Sequence, residues 1–465
     1  MSISHDAPAA GDYRWYRELN GYQWFVFLVA SLGWLFDTMD QQLFNLARRP
    51  AVVELLVTTP GQQPAAGDID FYAGVTTSIF ILGWATGGIF FGILGDKVGR
   101  AKTMVLTILT YSAFTGLSAL SHSVWDFAAF RFLTGLGVGG QFSVGVSLVA
   151  ESVSDRARPH ALGWLQALSA IGNIMAAVIG MGLGAMEGQG AIGSAWRAMF
   201  LVGLLPAILA LPVFLKLKEP ERWKAAVREE EEEEASGEPV KKLGSVAELF
   251  SDPRWRRNTI VGMLLAFSGV AGLWGIGVFS NDLSRIVLRK HFEAGGLSEH
   301  EIAGKITFWA GMTLLMFNVG GFFGVQAYAK VSERIGRKPA FAISFVLAAL
   351  ATSLSFWLLD EFWHIFVLVP LTGFCQLTLF GGYAIYFPEL FPTRLRSTGV
   401  SFCYNVARYM AAVGPLAQGY LASAVFAAGK EAGLRYAGVA MCAVFVVGLL
   451  ALPFAPETKG RPLPE

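Results

Sequence analysis

Charged residues are scarce in this sequence. Only 15% of its 465 residues are Asp, Glu, Lys or Arg, whereas soluble globular domains carry about 25%. The few charges nearly cancel, with 36 basic and 35 acidic side chains, so no basic nucleic-acid-binding surface is indicated. Hydrophobic residues make up 54% of the chain and its mean hydropathy is +0.49. This composition predicts a membrane protein that crosses the bilayer many times.

Sequence features of several other protein classes are missing. The three cysteines, Cys375, Cys403 and Cys442, lie in apolar runs without metal-ligand spacing, which argues against a disulfide framework or a metal site. No H-E-x-x-H or G-x-S-x-G pattern indicates an enzyme, and no phosphate-binding loop is present. We therefore predict a protein without cofactors that is driven by an ion gradient. No Asn-x-Ser/Thr site occurs, which favours a bacterial source.

Long apolar runs predict twelve transmembrane helices in an all-α fold. The predicted spans are 22–46, 70–95, 102–122, 125–150, 158–186, 194–217, 257–284, 302–331, 338–358, 362–387, 397–426 and 433–455. They form two six-helix halves, 22–217 and 257–455. A polar segment at 218–256, which contains six consecutive glutamates at 229–234, is predicted to be a linker. Residues 1–21 and 456–465 are predicted terminal segments.

Basic residues in alternate loops predict the orientation. Loops after the second, fourth, eighth and tenth spans carry Lys97, Arg100, Lys102, Arg156, Arg158, Arg334, Arg337, Lys338, Arg394 and Arg396. These loops, the linker and both termini are therefore expected to be cytoplasmic, in a multi-pass protein of the bacterial inner membrane. The opposite side carries fewer basic residues, at Arg48, Arg49, Arg289 and Lys290.

The two halves repeat one another. The segment Gly92–Arg100 after the second span aligns with Ala329–Arg337 after the eighth. A second stretch from Thr134 to Glu151 aligns with Thr372 to Glu389 at nearly the same offset. Internal repeats in a twelve-helix chain predict a transporter whose substrate site lies between the halves, near the middle of the membrane.

The first span contains two carboxylates, Asp37 and Asp40, which share one face of a helix. An ionised carboxylate at the bilayer centre costs roughly 2.5–3.5 kcal/mol on insertion scales, so such residues generally have a function. Two close carboxylates in a low dielectric cannot both ionise cheaply, which makes them candidates for proton coupling. The alternative is that both lie at the outer end of the helix in the headgroup layer. The sequence does not decide which of them carries the proton.

Arg408 lies inside the eleventh span. A guanidinium in the membrane is always charged and can bind a carboxylate through two hydrogen bonds. We predict that Arg408 binds an anionic substrate. The alternative is a structural pair with Asp37 or Asp40, since buried charges usually pair.

The sequence resembles the major facilitator superfamily over essentially its whole length. Gly92–Lys102 is similar to that family's loop motif G-x-x-x-D-R-x-G-R-[RK], with Lys97 in place of the usual Arg, and Arg131–Gly139 is similar to its fourth-helix pattern R-x-x-x-G-x-G. The resemblance implies a role for Arg131 in proton transfer, with snorkelling to the membrane surface or a helix–helix bond as the alternative. It also implies a cytoplasmic gate, for which the candidates are Asp96, Arg100, Glu151, Arg156, Glu333, Arg337, Glu389 and Arg394.

Other motifs resemble particular branches of that family. Pro220–Trp223, Pro388–Gly399 and Pro456–Gly460 are similar to loops of sugar porters and organic-ion transporters. Asp37–Asp40 resembles the paired-aspartate motif of aromatic-acid:proton symporters, with Thr38 where that branch has glycine. Among the organic-ion transporters, anion carriers tend to have an arginine at the position of Arg408. The Q-Q-x-x-G of sugar porters is missing from the seventh span, which argues against a sugar.

These observations predict a monomeric alternating-access symporter of protons and a small organic anion, such as an aromatic, sugar or other carboxylic acid. The alternatives are a sugar or polyol:proton symporter or facilitator, an organic-cation carrier, and a membrane sensor that does not transport. Besides Arg408, the candidate substrate-binding residues are polar or aromatic side chains within the spans, namely Gln141, Trp164, Gln166, Trp274, Asn318, Gln376, Tyr383, Tyr404 and Asn405. For any one of them, packing between helices is the alternative to ligand contact.

Overall fold

The computed structural model describes residues 14–57, 64–236, 240–297, 299–411 and 430–465, with 417, 420, 421, 425 and 426. Within these ranges the chain is helical and contains no β-strand. The first half comprises α1 (Gly21–Leu56), α2 (Ala66–Lys97), α3 (Arg100–Ser118), α4 (Val124–Ser152), α5 (Arg158–Gly188), α6 (Ala195–Val202) and α7 (Ala207–Lys216). The linker contains α8 (Glu221–Ser236) and α9 (Val246–Ser251).

The second half begins with α10 (Pro253–Val270), a π-helical turn (Ala271–Ile276) and α11 (Gly277–Ala294). It continues with α12 (Glu299–Ile335), α13 (Arg337–Leu358), α14 (Ile365–Leu390) and α15 (Arg396–Ala411). The last two helices are α16 (Lys430–Met441) and α17 (Val444–Ala451). Each predicted span corresponds to one or two of these helices, except that the later part of the eleventh, 397–426, lies outside the described residues.

Eight helical stretches among the described residues are long and apolar enough to cross a membrane. They are Phe71–Lys97, Val124–Ser152, Arg158–Glu187, Ala195–Lys216, Phe308–Ile335, Arg337–Leu358, Phe362–Leu390 and Glu431–Phe454. The remaining four predicted spans correspond to α1, α3, α10 with α11, and α15, which are among the more polar helices. Large apolar side chains such as Ile208, Phe214 and Leu450 are exposed on the outside of the bundle, as expected for a surface in contact with lipid.

Three spans differ from their predicted form. The first ends at Leu56 rather than 46, because the helix continues through Pro50, and Arg48 therefore lies on α1, where its Nη1 donates to Thr77 Oγ1 (2.9 Å). The sixth is interrupted between α6 and α7 ahead of Pro206, which cannot donate a backbone hydrogen bond. The seventh contains the π-helical turn, a local irregularity that is frequent at functional sites.

Glycines allow equivalent helix pairs to pack closely in both halves. In the first half, a Cβ added at Gly83 or Gly87 of α2 would meet the backbone of Phe132 or Leu136 on α4. In the second half, the corresponding positions on α12 are Gly320 and Gly324, and their neighbours are Pro370 and Phe374 on α14. The helix contacts therefore repeat with the same offset as the sequence motifs, as expected for membrane helices that pack through small residues.

The linker and the terminal segment cap equivalent helices. Gly99 (φ +118°) and Gly336 (φ +102°) turn the chain into α3 and α13. Glu219 accepts hydrogen bonds from the backbone N–H groups at the start of α3, at residues 101 (3.1 Å) and 102 (3.2 Å). Glu457 does the same for α13, at residues 337 (2.9 Å) and 338 (3.0 Å). The two glutamates thus form a third repeated feature, and each places a negative charge at a helix N-terminus.

The linker also contacts the bundle. Trp223 on α8 donates from Nε1 to the carbonyl of Asp96 (2.6 Å), and the Gly244 N–H donates to the carbonyl of Arg394 (2.9 Å). Within the glutamate run, Glu230 and Glu233 accept backbone hydrogen bonds from residues 243 (3.1 Å) and 241 (2.7 Å). The glutamate run is therefore helical, and two of its side chains bind the backbone of the segment that follows.

Glu457→Gln is expected to lower the free energy of unfolding by about 1 kcal/mol at pH 7, the usual cost of a lost cap. Burial alone would raise the pKa of Glu457, but backbone hydrogen bonds from Arg337, Lys459, Lys338 and Thr458 hold it below 4.5. A depressed folded-state pKa stabilises the fold above the unfolded value, so the difference from wild type should shrink as the pH falls below about 4.5. Thermal unfolding in detergent at several pH values measures it. Glu221→Gln, at an exposed glutamate of α8, is the control, and an equal loss there would contradict the cap.

Candidate functional site

Arg408 on α15 is buried at the boundary between the two halves. Its guanidinium carbon lies 3.9 Å from the ring centroid of Trp84 on α2 and 4.1 Å from that of Tyr404. Its Nη1 donates to Asn405 Oδ1 (2.5 Å), and its Nε has no hydrogen-bond partner in the described part of the chain. Arg408 thus lies between two aromatic faces, a favourable environment for a desolvated cation.

Asp37 on α1 is fully buried and has only a weak neutral partner. Its Oδ2 accepts a hydrogen bond from Gln41 Nε2 (3.3 Å), and its Oδ1 has no partner among the described residues. The charges of Asp37 and Arg408 attract each other, but the two residues form no direct ion pair within the described structure. These contacts therefore do not include the structural ion pair between Arg408 and Asp37 or Asp40 that was the alternative for Arg408.

Asp40 and Arg131 form a separate charged pair inside the first half. Arg131 Nη1 lies 3.8 Å from Asp40 Oδ2, and both side chains are fully buried. The remaining guanidinium nitrogens donate to Ser118 Oγ (2.7 and 3.0 Å) and Thr134 Oγ1 (2.9 Å). The ring of Phe200 lies 4.5 Å from the guanidinium carbon. The three predicted proton-coupling residues therefore lie in one half, with Asp40 already paired.

Three predicted substrate-binding residues lie at the interface between the halves away from Arg408. Asn318 on α12 accepts from Asn173 Nδ2 on α5 (2.8 Å). Gln166 on α5 is buried, with Oε1 unpartnered among the described residues. It lines a shallow crevice with Gly321, Phe322 and other residues of α5, α12 and α14. Trp164, on the same helix, packs edge-to-face on Phe322 (5.7 Å between centroids).

Other predicted substrate-binding residues form hydrogen bonds within their own half. Gln141 accepts from Thr107 Oγ1 (2.8 Å) within the first half. In the second half, Gln376 donates to Thr352 Oγ1 (2.8 Å) and Tyr383 donates to the carbonyl of Leu265 (2.6 Å). These three side chains serve helix packing in this structure, the alternative expected for polar residues in membrane helices. The side chain of Trp274 lies outside what the structure describes.

Trp84 and Phe142 are site residues that sequence reasoning missed. Phe142 on α4 stacks on Tyr404, with 4.7 Å between ring centroids, and also contacts Trp34 (5.0 Å). Trp84 lies among apolar and small residues, so the sequence gives it the pattern of a packing residue. The one available signal is that buried cations prefer tryptophan as an aromatic neighbour.

A charged network occupies one end of the bundle, which we call the motif face: the loops 97–100, 152–158, 335–337 and 391–396. Arg100 donates to both oxygens of Glu151 (3.1 and 3.0 Å), and Arg337 donates to both oxygens of Glu389 (3.1 and 2.9 Å). Asp96 adds an ion pair with Arg100 (2.8 Å). The two bidentate pairs are equivalent by the internal repeat, and bidentate pairing is the strong form of this interaction.

The network also joins the two halves. Asp96 at the end of α2 accepts the N–H groups of Ser397 (3.1 Å) and Thr398 (2.7 Å) at the start of α15. Arg396 Nη1 donates to Glu151 Oε1 (2.7 Å) from the other half. A carboxylate at a helix N-terminus and a buried ion pair thus hold the motif face closed.

Three predicted gate residues have different partners from those expected. Glu333 does not repeat the role of Asp96; it is one methylene longer and reaches His160 in the other half (2.9 Å). Arg156 is exposed, because it lies in the turn before α5. Arg394 forms an ion pair with Glu248 of α9 and so binds the linker.

Arg158 and Arg396 take the buried positions at this face. Arg158 Nε donates to the carbonyl of Ala150 (3.1 Å), and Arg396 Nε donates to that of Pro388 (3.1 Å). Each of them follows a predicted gate arginine, Arg156 or Arg394, by two residues. Each is also the first residue of its helix, and this position distinguishes it from the arginine before it.

Arg396→Gln is expected to open the motif face. The change removes the inter-half bond to Glu151 but leaves the Arg100–Glu151 pair intact. The ratio of open to closed molecules should rise at least about tenfold, because a lost hydrogen bond to a charged group costs more than the ~1.4 kcal/mol that tenfold represents. Electron–electron distance measurements between spin labels at the exposed positions 97 and 334 report this ratio. Arg461→Gln, at an exposed arginine nearby, is the control, and an unchanged distance distribution in Arg396→Gln would contradict the assignment.

Two repeated helical halves that meet around a buried charged centre define a membrane transporter. The family "Sugar (and other) transporter" matches residues 51–250, and the family "Major Facilitator Superfamily" matches residues 296–465. The chain belongs to the major facilitator superfamily, which confirms the resemblance and the predicted fold class.

Similar proteins agree with this assignment. The chain is 27% identical to a probable 4-methylmuconolactone transporter of Cupriavidus pinatubonensis, over 96% of this chain and 94% of that protein. It is also 27% identical to a cis,cis-muconate transport protein of Acinetobacter baylyi, over 94% and 95% of the two chains. The proton:xylose symporter XylE, solved with 6-bromo-6-deoxy-D-glucose, shares the fold with a TM-score of 0.71 at 17% identity, over 95% and 98% of the two chains.

Proposed function

We propose that this transporter is a symporter of protons and small organic anions and that Arg408 binds the carboxylate of the substrate. The observation that carries the proposal is the environment of Arg408. The guanidinium is buried between two aromatic rings, with a neutral hydrogen-bond partner and without an ion pair in the described residues. A buried cation is costly unless an anion compensates it. A carboxylate that enters between the halves supplies that anion.

The aromatic faces favour a planar or unsaturated acid. Trp84 and Tyr404 flank Arg408, and Phe142 stacks on Tyr404, so three aromatic rings surround this site. Stacking on such faces adds about 0.5–1.5 kcal/mol per ring pair to the affinity for a flat substrate. Two relatives are named as a cis,cis-muconate transport protein and as a probable 4-methylmuconolactone transporter. Muconate is an unsaturated carboxylate, which supports the same class here.

Charge balance supports proton coupling through Asp37. Apart from the motif face, and from Arg435, which pairs with Asp360 and Glu431, the buried charges of the described residues are Asp37, Asp40, Arg131 and Arg408. These four charges sum to zero. A monocarboxylate bound to Arg408 leaves one uncompensated negative charge, and a proton on one aspartate restores neutrality before the cavity closes. Asp40 has Arg131 as its partner, whereas Asp37 has only Gln41. We assign the proton to Asp37, with one proton for each monoanion.

Alternating access then follows from the motif face. We place this face in the cytoplasm, with both termini, in agreement with the basic residues of its loops. Its ion pairs and hydrogen bonds join the two halves, which supports a closed cytoplasmic end, so substrate and proton would enter from the other end. Opening of the Glu151–Arg396 contact would release both into the cell.

Uptake into proteoliposomes tests the proposal. The panel contains benzoate, cis,cis-muconate, xylose and tetraethylammonium, each with and without an inward proton gradient, and protein-free liposomes are the control. We expect uptake of the carboxylates, increased by the gradient. Xylose uptake that carboxylates do not inhibit would establish the sugar alternative, and uptake of tetraethylammonium would establish a cation carrier. Ligand-dependent stabilisation without any uptake would indicate a sensor.

A further inference from the structure

We propose that Tyr111 is a positioning residue in a hydrated polar chamber inside the first half, where its hydroxyl hydrogen-bonds the ionised carboxylate of Asp37, directly or through one water. The inference rests on the proposed function, because it concerns the proton site of that symporter. It adds a residue of α3 to a site otherwise formed by α1, α4 and α15.

Tyr111 is fixed within electrostatic range of both aspartates. It is fully buried, and a Cβ added at Gly137 of α4 would lie 2.5 Å from its backbone nitrogen, so the two helices touch at this point. The carboxylates of Asp37 and Asp40 both act electrostatically on its phenol group. Its hydroxyl lies near the Ser112 hydroxyl, but it makes no hydrogen bond of normal geometry with any described residue. A buried phenol usually has such a partner.

Other polar atoms around the two aspartates are also unsatisfied. Among the described residues, normal hydrogen bonds are missing for Asp37 Oδ1, both oxygens of Asp40, Ser112 Oγ and Thr115 Oγ1. Thr115 lies beside Asp40. A Cβ at Gly203, in the turn between α6 and α7, would approach both Thr115 and Asp40, so glycine is the residue that fits there. Clustered buried polar atoms of this kind are normally satisfied by internal water.

The equivalent position in the second half lacks this cluster of charged and unpartnered polar groups. The internal repeat aligns Arg100 with Arg337 and, with an offset one residue longer, Glu151 with Glu389. By the first offset Ser118 corresponds to Ser355, and by the second Thr134 corresponds to Thr372. Those two hydroxyls bond each other directly (2.6 Å), whereas in the first half both bond Arg131. In the second half, the two helices therefore meet at this position through a direct hydroxyl–hydroxyl hydrogen bond, without a charged side chain between them.

The counterparts of the charged and phenolic residues are apolar. Arg131 corresponds to Val369, and Tyr111 corresponds to Ala348. The arginine and the tyrosine thus occur in the half that contains the paired aspartates, and both are absent from the matching positions on α13 and α14. This co-occurrence indicates that Tyr111 belongs to the charged site and not to the common helix packing.

The proton balance is simple. When Asp37 is ionised, the Tyr111 hydroxyl donates to its carboxylate; when Asp37 binds a proton, an O–H bond forms on the carboxyl and Tyr111 stays neutral. The titratable and charged groups that face this carboxyl from the packed helices are Asp40, Tyr111, Arg131, Tyr404 and Arg408. Loss of the phenol hydroxyl removes a donor that favours the ionised form.

The test is the pH dependence of benzoate uptake by Tyr111→Phe in proteoliposomes. We expect the pH midpoint to rise by about one unit, the shift produced by a tenfold gain in proton affinity, with KM at low pH unchanged. Tyr328→Phe is the matched control, because Tyr328 on α12 is equally buried with an unpartnered hydroxyl among the described residues. Its midpoint should equal that of wild type.

The possible failures are distinguishable. A wild-type pH midpoint in folded Tyr111→Phe would overturn the inference about Tyr111. Wild-type uptake that ignores the proton gradient would instead overturn the proposed symport. If Tyr111→Phe does not fold, Thr115→Val removes another donor from the same chamber with little change in volume. A smaller upward shift then supports the chamber, and no shift overturns it.

Discussion

Arg408→Ala is expected to abolish carboxylate uptake, lowering it at least about 100-fold at substrate concentrations below KM. A charge-assisted bidentate hydrogen bond in a desolvated site is worth several kcal/mol, and about 2.8 kcal/mol is already 100-fold. The same change leaves Trp84 and Tyr404 in place, so the shape of the aromatic surface is kept. Initial rates of benzoate uptake measure the effect, and thermal unfolding verifies that the variant folds.

Arg408→Lys is the matched control for that prediction. It keeps the positive charge but loses the planar fork and most of the stacking between the two rings. We expect an intermediate loss, between wild type and Arg408→Ala. If Arg408→Ala folds and still takes up benzoate at the wild-type rate, the carboxylate site is not at Arg408.

Asp37→Asn is expected to uncouple transport from protons. The asparagine mimics the protonated carboxyl permanently, so the loaded cavity is neutral without taking up a proton. Exchange of labelled for unlabelled benzoate across the membrane should continue. Accumulation driven by an inward proton gradient should fall to the level of equilibration, a loss of at least about tenfold for a gradient of one pH unit.

Asp40→Asn separates the roles of the two aspartates. This change leaves the buried Arg131 without its carboxylate, and removal of one partner of a buried pair costs about 3–5 kcal/mol. We therefore expect a clear fall in thermal stability for Asp40→Asn and little for Asp37→Asn. Gradient-driven accumulation that survives in Asp37→Asn but is lost in a folded Asp40→Asn would reverse the assignment.

The repeat explains how much could be predicted from the sequence. The alignment of Gly92–Arg100 with Ala329–Arg337 is set by backbone requirements, namely a positive-φ glycine and a helix start, and these recur in the structure at Gly99 and Gly336. Helical spans follow from hydrophobic length alone. The fold class was therefore predictable, and the charges within the first and eleventh spans were visible because charges in a membrane span are expensive.

The contacts of individual side chains were less predictable. Gln141, Gln376 and Tyr383 are polar residues in apolar helices, and the sequence does not reveal whether such a side chain faces a cavity or another helix. Glu333 shows that a repeat constrains position but not the reach of the side chain, since one extra methylene changes its partner. Trp84 was missed because a tryptophan in a membrane helix is ordinary unless the cation that it contacts is known.

The central claim is that one carboxylate at Arg408 requires one proton at Asp37. The most direct test adds benzoate to proteoliposomes without a pH gradient, with the membrane potential clamped at zero, and records labelled substrate and internal pH together. We predict one proton taken up for each benzoate, the same ratio at imposed potentials of either sign, and no benzoate-dependent acidification with Asp37→Asn. Entry of benzoate anion through the protein with no accompanying proton would contradict the account.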